Sequence, residues 1–244
     1  MKLRIAIAGL VATLFGLGGA AAADLTPAPY VKAPPPPPMY NWTDWYVGLN
    51  VGGSWGHQNT TLASGAVAVT NGNHIDGVIG GAQVGYNWQG LGSPWVFGLE
   101  ADIQGSGQKT DNAFAIAAIP TAAIAYEDKL DWFGTVRGRI GYAVGDQGRW
   151  LPYITGGLAY GESKISGTGA AGGLPVAFSQ TNTNVGWTVG AGLEWAFWDK
   201  WSAKIEYLYM DLGNGSTIAL TPTATVSTGR MTDNVARVGV NFHF

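Results

Sequence analysis

The chain has 244 residues, with 38 glycines, no cysteine, 12% aromatic residues and a formal net charge of −3. The absence of cysteine excludes a disulfide scaffold, thiolate metal sites and a lipoprotein anchor. The acidic balance argues against a nucleic-acid partner. Abundant Trp and Tyr beside so much glycine are not typical of a disordered chain.

Residues 1–23 have the three parts of a secretory signal peptide. Lys2 and Arg4 form a basic start, an uncharged apolar stretch follows, and three alanines precede Asp24. The stretch is rich in Ala and Gly and ends at a good cleavage site, which favours a signal peptide over a membrane-anchor helix. Cleavage leaves 11 basic and 16 acidic side chains. No later apolar run is long enough for a transmembrane helix, so any membrane span must be built from strands.

Residues 24–43 form a proline-rich segment with five consecutive prolines, Pro34 to Pro38. Such a sequence favours an extended polyproline II conformation and offers few backbone donors to a sheet. We expect a periplasmic spacer between the cleavage site and the first strand, with a docking site for a proline-binding partner as the alternative. The folded domain is expected to occupy residues 44–244.

Eight later segments alternate between apolar and polar residues with a period of two. In the last segment, Val238, Val240, Phe242 and Phe244 share one face, because successive side chains of a strand point to opposite sides. Each segment has about the ten residues that a tilted strand needs to cross the hydrocarbon. The segments are Trp45–Trp55, Val78–Trp88, Trp95–Gln104, Leu130–Tyr142, Leu151–Gly161, Val185–Phe197, Trp201–Met210 and the terminal strand; the fifth is the least regular.

The non-apolar face of these segments carries too many charges for a dry core, whereas a soluble barrel would place its apolar side chains inside. Trp, Tyr and Phe bracket the apolar face, as expected for rings at the level of lipid headgroups. The pattern predicts an all-β, eight-stranded antiparallel transmembrane β-barrel in a Gram-negative outer membrane, surrounded by lipid and lipopolysaccharide. The predicted interior charges are Glu100, Asp102, Asp131, Arg137, Arg139, Glu194, Lys204, Glu206 and Arg237.

These charges comprise five acids and four bases. Eight strands leave an interior just wide enough for side chains, and the near-neutral balance favours mutual pairing over an ion-selective ring. The alternative is that the charges line a narrow permeation path. The predicted cross-strand pairs are Glu194 with Lys204, Glu206 with Arg237, and Glu100 with Arg137.

The connections between the segments alternate in length. Bacterial barrels have short periplasmic turns and longer outer loops. Four long and three short connections between eight strands therefore place both termini in the periplasm. The long connections are rich in Ser, Thr, Ala and Gly, and we expect four mobile outer loops. The short connections are 90–94, 143–150 and 198–200, and the long ones are 60–73, 105–126, 163–182 and 213–231.

The three histidines offer little support for catalysis. His57 and His74 flank the first long connection and are candidate ligands for haemin or a metal ion, whereas His243 is interpreted as a solvated interior residue. The spacing of the residues indicates no catalytic triad, so we expect neither an enzyme nor a cofactor. The aromatic ending with Phe242 and Phe244 resembles the signal that the barrel-assembly machinery recognises.

Several motifs resemble one family. Residues 40–48, YNWTDWYVG, are similar to the YNWTGFYVG opening of small alphaproteobacterial outer-membrane proteins, known as porin-family or outer-membrane immunogenic proteins, of the OmpA-like β-barrel class. Asp44 departs from the glycine common in that opening. Further matching segments are GGAQVGYNW (80–88), WFGTVRGR (132–139), YITGGLAYG (153–161), GAGLE (190–194) and NFHF (241–244).

The resemblance implies an eight-stranded, surface-exposed barrel that serves as a structural envelope protein and antigen; some relatives bind haemin. We therefore expect a structural outer-membrane protein that contributes to envelope integrity and acts as a monomer. The alternatives are a narrow, low-conductance porin and a surface receptor that binds haemin or another ligand with its long outer loops.

Overall fold

The computed structural model describes residues 39–64, 67–115, 123–171, 174–215, 217–221 and 224–244. The predicted signal peptide and the proline-rich segment up to residue 38 lie outside the described residues. The described part forms one antiparallel sheet in the order β1-β2-β3-β4-β5-β6-β7-β9-β8, and the pairing of β1 with β9 closes it into a barrel. The strands are β1 (Asp44–Ser64), β2 (Val67–Gln89), β3 (Trp95–Ala115), β4 (Ala123–Tyr142), β5 (Trp150–Ala171), β6 (Leu174–Ala196), β7 (Trp201–Asn214), β8 (Thr217–Thr221) and β9 (Ala224–His243).

The eight predicted segments correspond to β1–β7 and β9. The short strand β8 pairs only with the first residues of β9, and β7 pairs with the remainder of that strand, so β7 and β8 are successive partners of β9. The eight-stranded prediction is therefore confirmed. One 3₁₀ turn, Asp146–Gly148, lies between β4 and β5. Among the described residues, helices long and apolar enough to cross a membrane are absent.

Apolar side chains point outward over the middle of the barrel wall, as the alternation predicts. Leu49 is 71% exposed, whereas its neighbour Asn50 is buried. The least regular segment follows the same rule, because Ile154 and Leu158 are exposed while Tyr153 is buried. The outward face is thus suited to contact hydrocarbon.

Aromatic side chains bracket this apolar band at both ends. At the end with the short turns, the ring of Trp150 stacks on that of Trp195 at a centroid distance of 5.3 Å. At the opposite end, Trp132 contacts Tyr160 at 6.0 Å, so aromatic contacts also connect neighbouring strands there. We call this second ring the outer girdle; it contains Trp55, Trp132, Tyr160, Trp187, Tyr207 and Tyr209.

A β-bulge in β4 reverses the alternation next to the outer girdle. Leu130 pairs with Ser163 and Trp132 pairs with Glu162, so Asp131 is an extra residue in its strand. Leu130 is consequently buried inside and Asp131 is exposed. The predictions that Asp131 is an interior charge and that Leu130 faces outward are wrong, because a bulge shifts the side-chain parity by one residue.

The described residues of the four long connections are mostly strand rather than loop. In the first hairpin, β1 and β2 stay in register as far as the pair Ser64 and Val67. The hairpin parts beyond the outer girdle form what we call the crown, residues 56–64, 67–76, 108–115, 123–131, 162–171, 174–184, 211–215, 217–221 and 224–233. Inside the crown lies an apolar group, the crown cluster, comprising Leu62, Tyr126, Ile165 and Val226.

The paired backbone of the crown should be protected from hydrogen exchange. Because Thr61 lies opposite Thr70 and Asn59 opposite Gly72 in the β1–β2 register, amides 59–62 of the barrel in detergent micelles should exchange far more slowly than those of the exposed turn around Leu91. Mass spectrometry of the exchanging protein measures the difference. Equal exchange rates in the two segments would restore the prediction of a mobile loop.

Candidate functional site in the barrel interior

Eight charged side chains meet inside the barrel, on the half nearer the short turns. None is more than 4% exposed. They comprise four acids and four bases, so their formal charges cancel. The set, which we call the charge network, contains Glu100, Asp102, Glu194, Glu206, Arg137, Arg139, Lys204 and Arg237.

Arg137 connects separate walls of the barrel. Its Nη2 lies 2.5 Å from Glu100 Oε1 and 3.0 Å from Asp102 Oδ2, both on β3. Its Nη1 lies 3.0 Å from Glu206 Oε1 on β7. One guanidinium therefore bonds three carboxylates, a geometry for which its fixed fork of donors is suited.

Two of the predicted pairs lie directly opposite each other and are in contact. Glu100 is the β3 partner of Arg137, and Glu206 is the β7 partner of Arg237. The Nε of Arg237 donates a hydrogen bond to Glu206 Oε2 at 2.8 Å. The structure thus brings these four residues together through strand register.

The third predicted pair is opposite in register but makes different contacts. Lys204 lies across from Glu194, yet its Nζ lies 2.9 and 2.8 Å from the two carboxylate oxygens of Glu100. Glu194 instead accepts a hydrogen bond of 2.6 Å from Arg139 Nη2. The flexible lysine stem reaches across the interior, a choice of partner that strand register alone does not determine.

Two buried tyrosines complete the network. Tyr46 donates a hydrogen bond to Glu100 at 2.7 Å, and Tyr153 donates one to Glu206 at 3.0 Å. Sequence analysis assigned neither of them to the site. The sequence does contain a signal for these tyrosines, because an inward glycine lies opposite each ring, Gly85 opposite Tyr46 and Gly192 opposite Tyr153. A Cβ at Gly85 would come within 2.3 Å of the Tyr46 ring.

His243, Ser202 and Glu194 lie close together, but their hydrogen bonds do not form a catalytic triad. His243 Nε2 is 3.0 Å from Ser202 Oγ, while the Ser202 hydroxyl donates to Glu194 Oε1 at 2.5 Å. A triad serine would donate to the histidine, with the carboxylate behind the imidazole. Both Ser202 and His243 are buried, so the interpretation of His243 as a solvated residue is wrong.

The residues just before β1 close the barrel at the short-turn end. Trp42 is fully buried, its Nε1 donates to the carbonyl of Gly148 at 2.9 Å, and its backbone N–H donates to Gln89 Oε1 at 2.8 Å. The predicted spacer therefore does not extend to residue 43, because its last residues pack into the barrel. We call this group the mouth layer; it contains Trp42, Val96, Ala143, Leu151 and Ala196.

On the other side of the charge network the interior is filled mainly by apolar side chains, and Gln104, Gln108 and Asp233 are buried among them. Leu208 lies two residues beyond Glu206 on β7, and Val235 lies two residues from Arg237 on β9. These side chains are fully buried and belong to what we call the middle layer. It contains Ile75, Ile79, Leu130, Phe133, Ala159, Leu208, Met210, Leu212, Met231 and Val235.

A buried carboxylate lies between the middle layer and the crown cluster. Asp128 Oδ2 is 3.4 Å from both Thr60 Oγ1 and Asn73 Nδ2, which are neutral partners. Burial raises the pKa of Asp128 to about 6. Among the described residues, its recorded hydrogen-bond partners are neutral, whereas cations contact the acids of the charge network.

The two candidate haemin or metal ligands meet on the outer wall of the first hairpin. His57 and His74 are directly opposite in register and exposed, with ring centroids 4.1 Å apart. They lie within β1 and β2 rather than beside a loop above the barrel. Among the described residues there is no group of three or more His, Cys, Asp or Glu that could hold a metal ion.

A closed antiparallel sheet with an apolar outer band, aromatic side chains at both ends of that band and a polar interior defines the transmembrane β-barrels of bacterial outer membranes. A family model described as "Outer membrane protein beta-barrel domain" matches residues 10–244. The chain belongs to this family, and the protein is located in the outer membrane.

Proteins similar to this chain match most of its length. The chain is 32% identical over 252 residues to the "31 kDa outer-membrane immunogenic protein" of Brucella melitensis, covering 99% of this chain and 100% of the relative. It is 32% identical to the "22 kDa outer membrane protein" of Rhizobium leguminosarum, covering 86% of each. It is 28% identical to the "25 kDa outer-membrane immunogenic protein" of Brucella abortus, covering 89% and 84%. The names of these relatives state no enzymatic activity.

The choice of partner for Lys204 can be tested by a double-mutant cycle. Lys204→Met should lower the free energy of unfolding by about 3–5 kcal/mol, because it leaves the buried Glu100 carboxylate without one of its cations. When combined with Lys204→Met, Glu100→Gln should recover more of this lost stability than Glu194→Gln does. Urea unfolding of the refolded barrel in micelles measures each value. A larger rescue by Glu194→Gln would assign Lys204 to the carboxylate opposite it.

The stability of the crown should depend on the protonation of Asp128. The raised pKa means that the folded chain holds a proton at Asp128 that the unfolded chain releases. The stability that this proton binding contributes is complete below about pH 4 and is lost as the pH rises through about 6. Asp128→Asn should therefore stabilise the protein by up to about 3 kcal/mol at pH 8 and have little effect at pH 4. The exposed Asp131→Asn is the matched control. Equal gains from Asp128→Asn at the two pH values would contradict the mechanism.

Proposed function

We propose that this protein is a closed structural barrel that contributes to envelope integrity and displays its crown at the cell surface. The observation that carries the proposal is the sequence of filled layers along the barrel axis. The mouth layer, the charge network, the middle layer and the crown cluster follow one another. Such packing suits a protein that spans the membrane without conducting.

The charge network supports a structural role more than a permeation path. An ion that entered would have to displace charge-assisted bonds such as those between Arg237, Asp102 and Glu206, at 2.9 and 2.6 Å. It would then meet the middle layer, whose large apolar side chains, such as Phe133 and Leu208, do not replace its hydration shell. The narrow-porin alternative therefore requires the interior to rearrange.

The outer surface of the barrel supports a proposal for its membrane environment. The apolar band and the two aromatic ends fit a lipid inner leaflet and a lipopolysaccharide outer leaflet, in which one closed barrel is complete as a monomer. The barrel-assembly machinery is the expected partner during insertion. The role of Phe242 and Phe244 in that step stays a prediction; Phe244 is exposed, and its ring contacts that of Phe242 at 5.6 Å.

The alternatives from other classes have less support. For an enzyme, the cluster of Ser202, His243 and Glu194 has the wrong hydrogen-bond directions and is buried. For a haemin receptor with long flexible loops, the paired strands of the crown leave fewer free residues than the sequence suggests. The immunogenic names of the relatives favour surface display of this chain without identifying a ligand.

Conductance separates the closed barrel from the porin. The full chain, reconstituted into planar bilayers, should give no stepwise ion currents. A Phe133→Ala/Leu208→Ala variant, which removes two large side chains from the middle layer, shows whether an opened barrel conducts. Heat-dependent electrophoretic mobility confirms that both proteins are folded. Wild-type currents whose ion selectivity changes in Lys204→Gln would overturn the proposal.

Envelope integrity can be tested in cells. Deletion of the gene should increase sensitivity to detergents and large antibiotics, and the wild-type gene should restore resistance. A Phe133→Ala/Leu208→Ala gene, expressed at the same level, should restore less because its barrel is destabilised by cavities in the interior. Unchanged sensitivity in the deletion strain would contradict a structural role and would leave surface display as the remaining function.

A further inference from the structure

We propose that His57 and His74 form a two-histidine chelate for a divalent transition-metal ion such as Zn²⁺ or Cu²⁺ on the outer wall of the barrel. The two residues are exact register partners on β1 and β2. Both are exposed, and their rings lie 4.1 Å apart at an interplanar angle of 63°. The barrel thus presents two imidazoles to one point outside its wall.

The spacing of paired strands suits one shared ion. Directly opposite residues have Cβ atoms about 4.5–5.5 Å apart, and a metal ion binds each imidazole nitrogen at about 2.0–2.1 Å. Two rings that share an ion therefore need their ligating nitrogens within about 4 Å of each other. Neighbouring strands hold the two side chains at this spacing, and their exposure leaves both rings free to turn towards a common ion.

The same spacing argues against a haem iron held between the two rings. In that arrangement the nitrogens would lie about 4 Å apart on opposite faces of the iron, with the porphyrin plane between them. Rings whose centroids are only 4.1 Å apart leave no room for the macrocycle. The geometry therefore favours an ion bound on one side by both histidines.

The surroundings of the pair are polar and accessible. His57 lies two residues beyond Trp55 of the outer girdle, on the crown side, so the pair is outside the apolar band. Asp76, exposed and two residues from His74, adds negative charge on the same face, although Lys109 lies opposite it. On the crown side, the next residues of this face are Asn59 and Gly72, which lie opposite each other.

The predicted site keeps open coordination positions. Because the described residues supply no third His, Cys, Asp or Glu to this group, water or a small external ligand would complete the shell. Imidazole is a suitable ligand for Zn²⁺, Cu²⁺ and Ni²⁺. Ligation requires neutral rings, so protons should compete with the metal.

Metal titration of the refolded full chain, prepared without a histidine tag, tests the proposal. Calorimetry with ZnCl₂ should show one ion per barrel, and electron paramagnetic resonance of the Cu²⁺ form should show two bound imidazole nitrogens. His57→Gln and His74→Gln should each weaken binding by at least about tenfold, since even an outer-shell partner can be worth that much. Thr61→Ala/Thr70→Ala, an opposite pair in the same hairpin, should bind Zn²⁺ as the wild type does.

Each contrary result overturns the proposal. Unchanged affinity in the His57→Gln/His74→Gln double variant would place the metal elsewhere. Loss in only one of the single variants would indicate a one-histidine site, and absence of saturable binding in the wild type would exclude a site. Both histidines are exposed, so the variants should retain the fold, and heat-dependent electrophoretic mobility verifies this.

Discussion

Hydrogen bonding of the backbone in a medium without water is the constraint on which this structure depends. Every N–H and C=O group within the hydrocarbon needs a partner from the chain, and a sheet satisfies this only when its first and last strands meet. Here β1 pairs with β9 from Tyr46 opposite His243 to Ser64 opposite Ala224. Closure then gives every strand one face towards lipid and one towards a narrow interior.

The narrow interior determines how the inward side chains are arranged. Large residues lie opposite glycines, as Arg237 lies opposite Gly52, where an added Cβ would come within 2.7 Å of the Arg237 side chain. Four acids and four bases occupy one zone, where each acid contacts at least one base, and mainly apolar residues fill the zones on either side. Pairing offsets part of the desolvation cost of the charges, whereas an unpaired charge there would be strongly destabilising.

The sequence is sufficient to predict the barrel, its two faces and most of the charge network. In an alternating strand, the position of a residue determines whether its side chain faces the lipid or the interior. Glu100, Arg137, Glu206 and Arg237 can be paired by counting residues from the turns. The prediction fails at Asp131, since a one-residue bulge leaves no mark in an alternating pattern. It also fails in the crown, where many Gly, Ser, Thr and Ala residues hide strands that are paired in the structure.

Other features depend on contacts across the interior, which residue counting does not reach. Lys204 on β7 binds Glu100 on β3, four strands away around the ring, rather than the carboxylate opposite it, because a long side chain follows the available partners and not the register. Trp42 belongs to the barrel although it follows a proline-rich segment, since its indole fills the mouth of the interior. Both depend on the three-dimensional shape of the cavity.

The exact balance of four acids and four bases has an electrical consequence. A potential of 100 mV across a membrane changes the energy of one elementary charge that traverses it by about 2.3 kcal/mol. A network whose charges cancel and are held in place by one another offers such a field no net charge to move. A potential across the membrane should therefore not change the conformation of the folded barrel. A change in the ions outside the cell that alters this potential should leave the barrel closed.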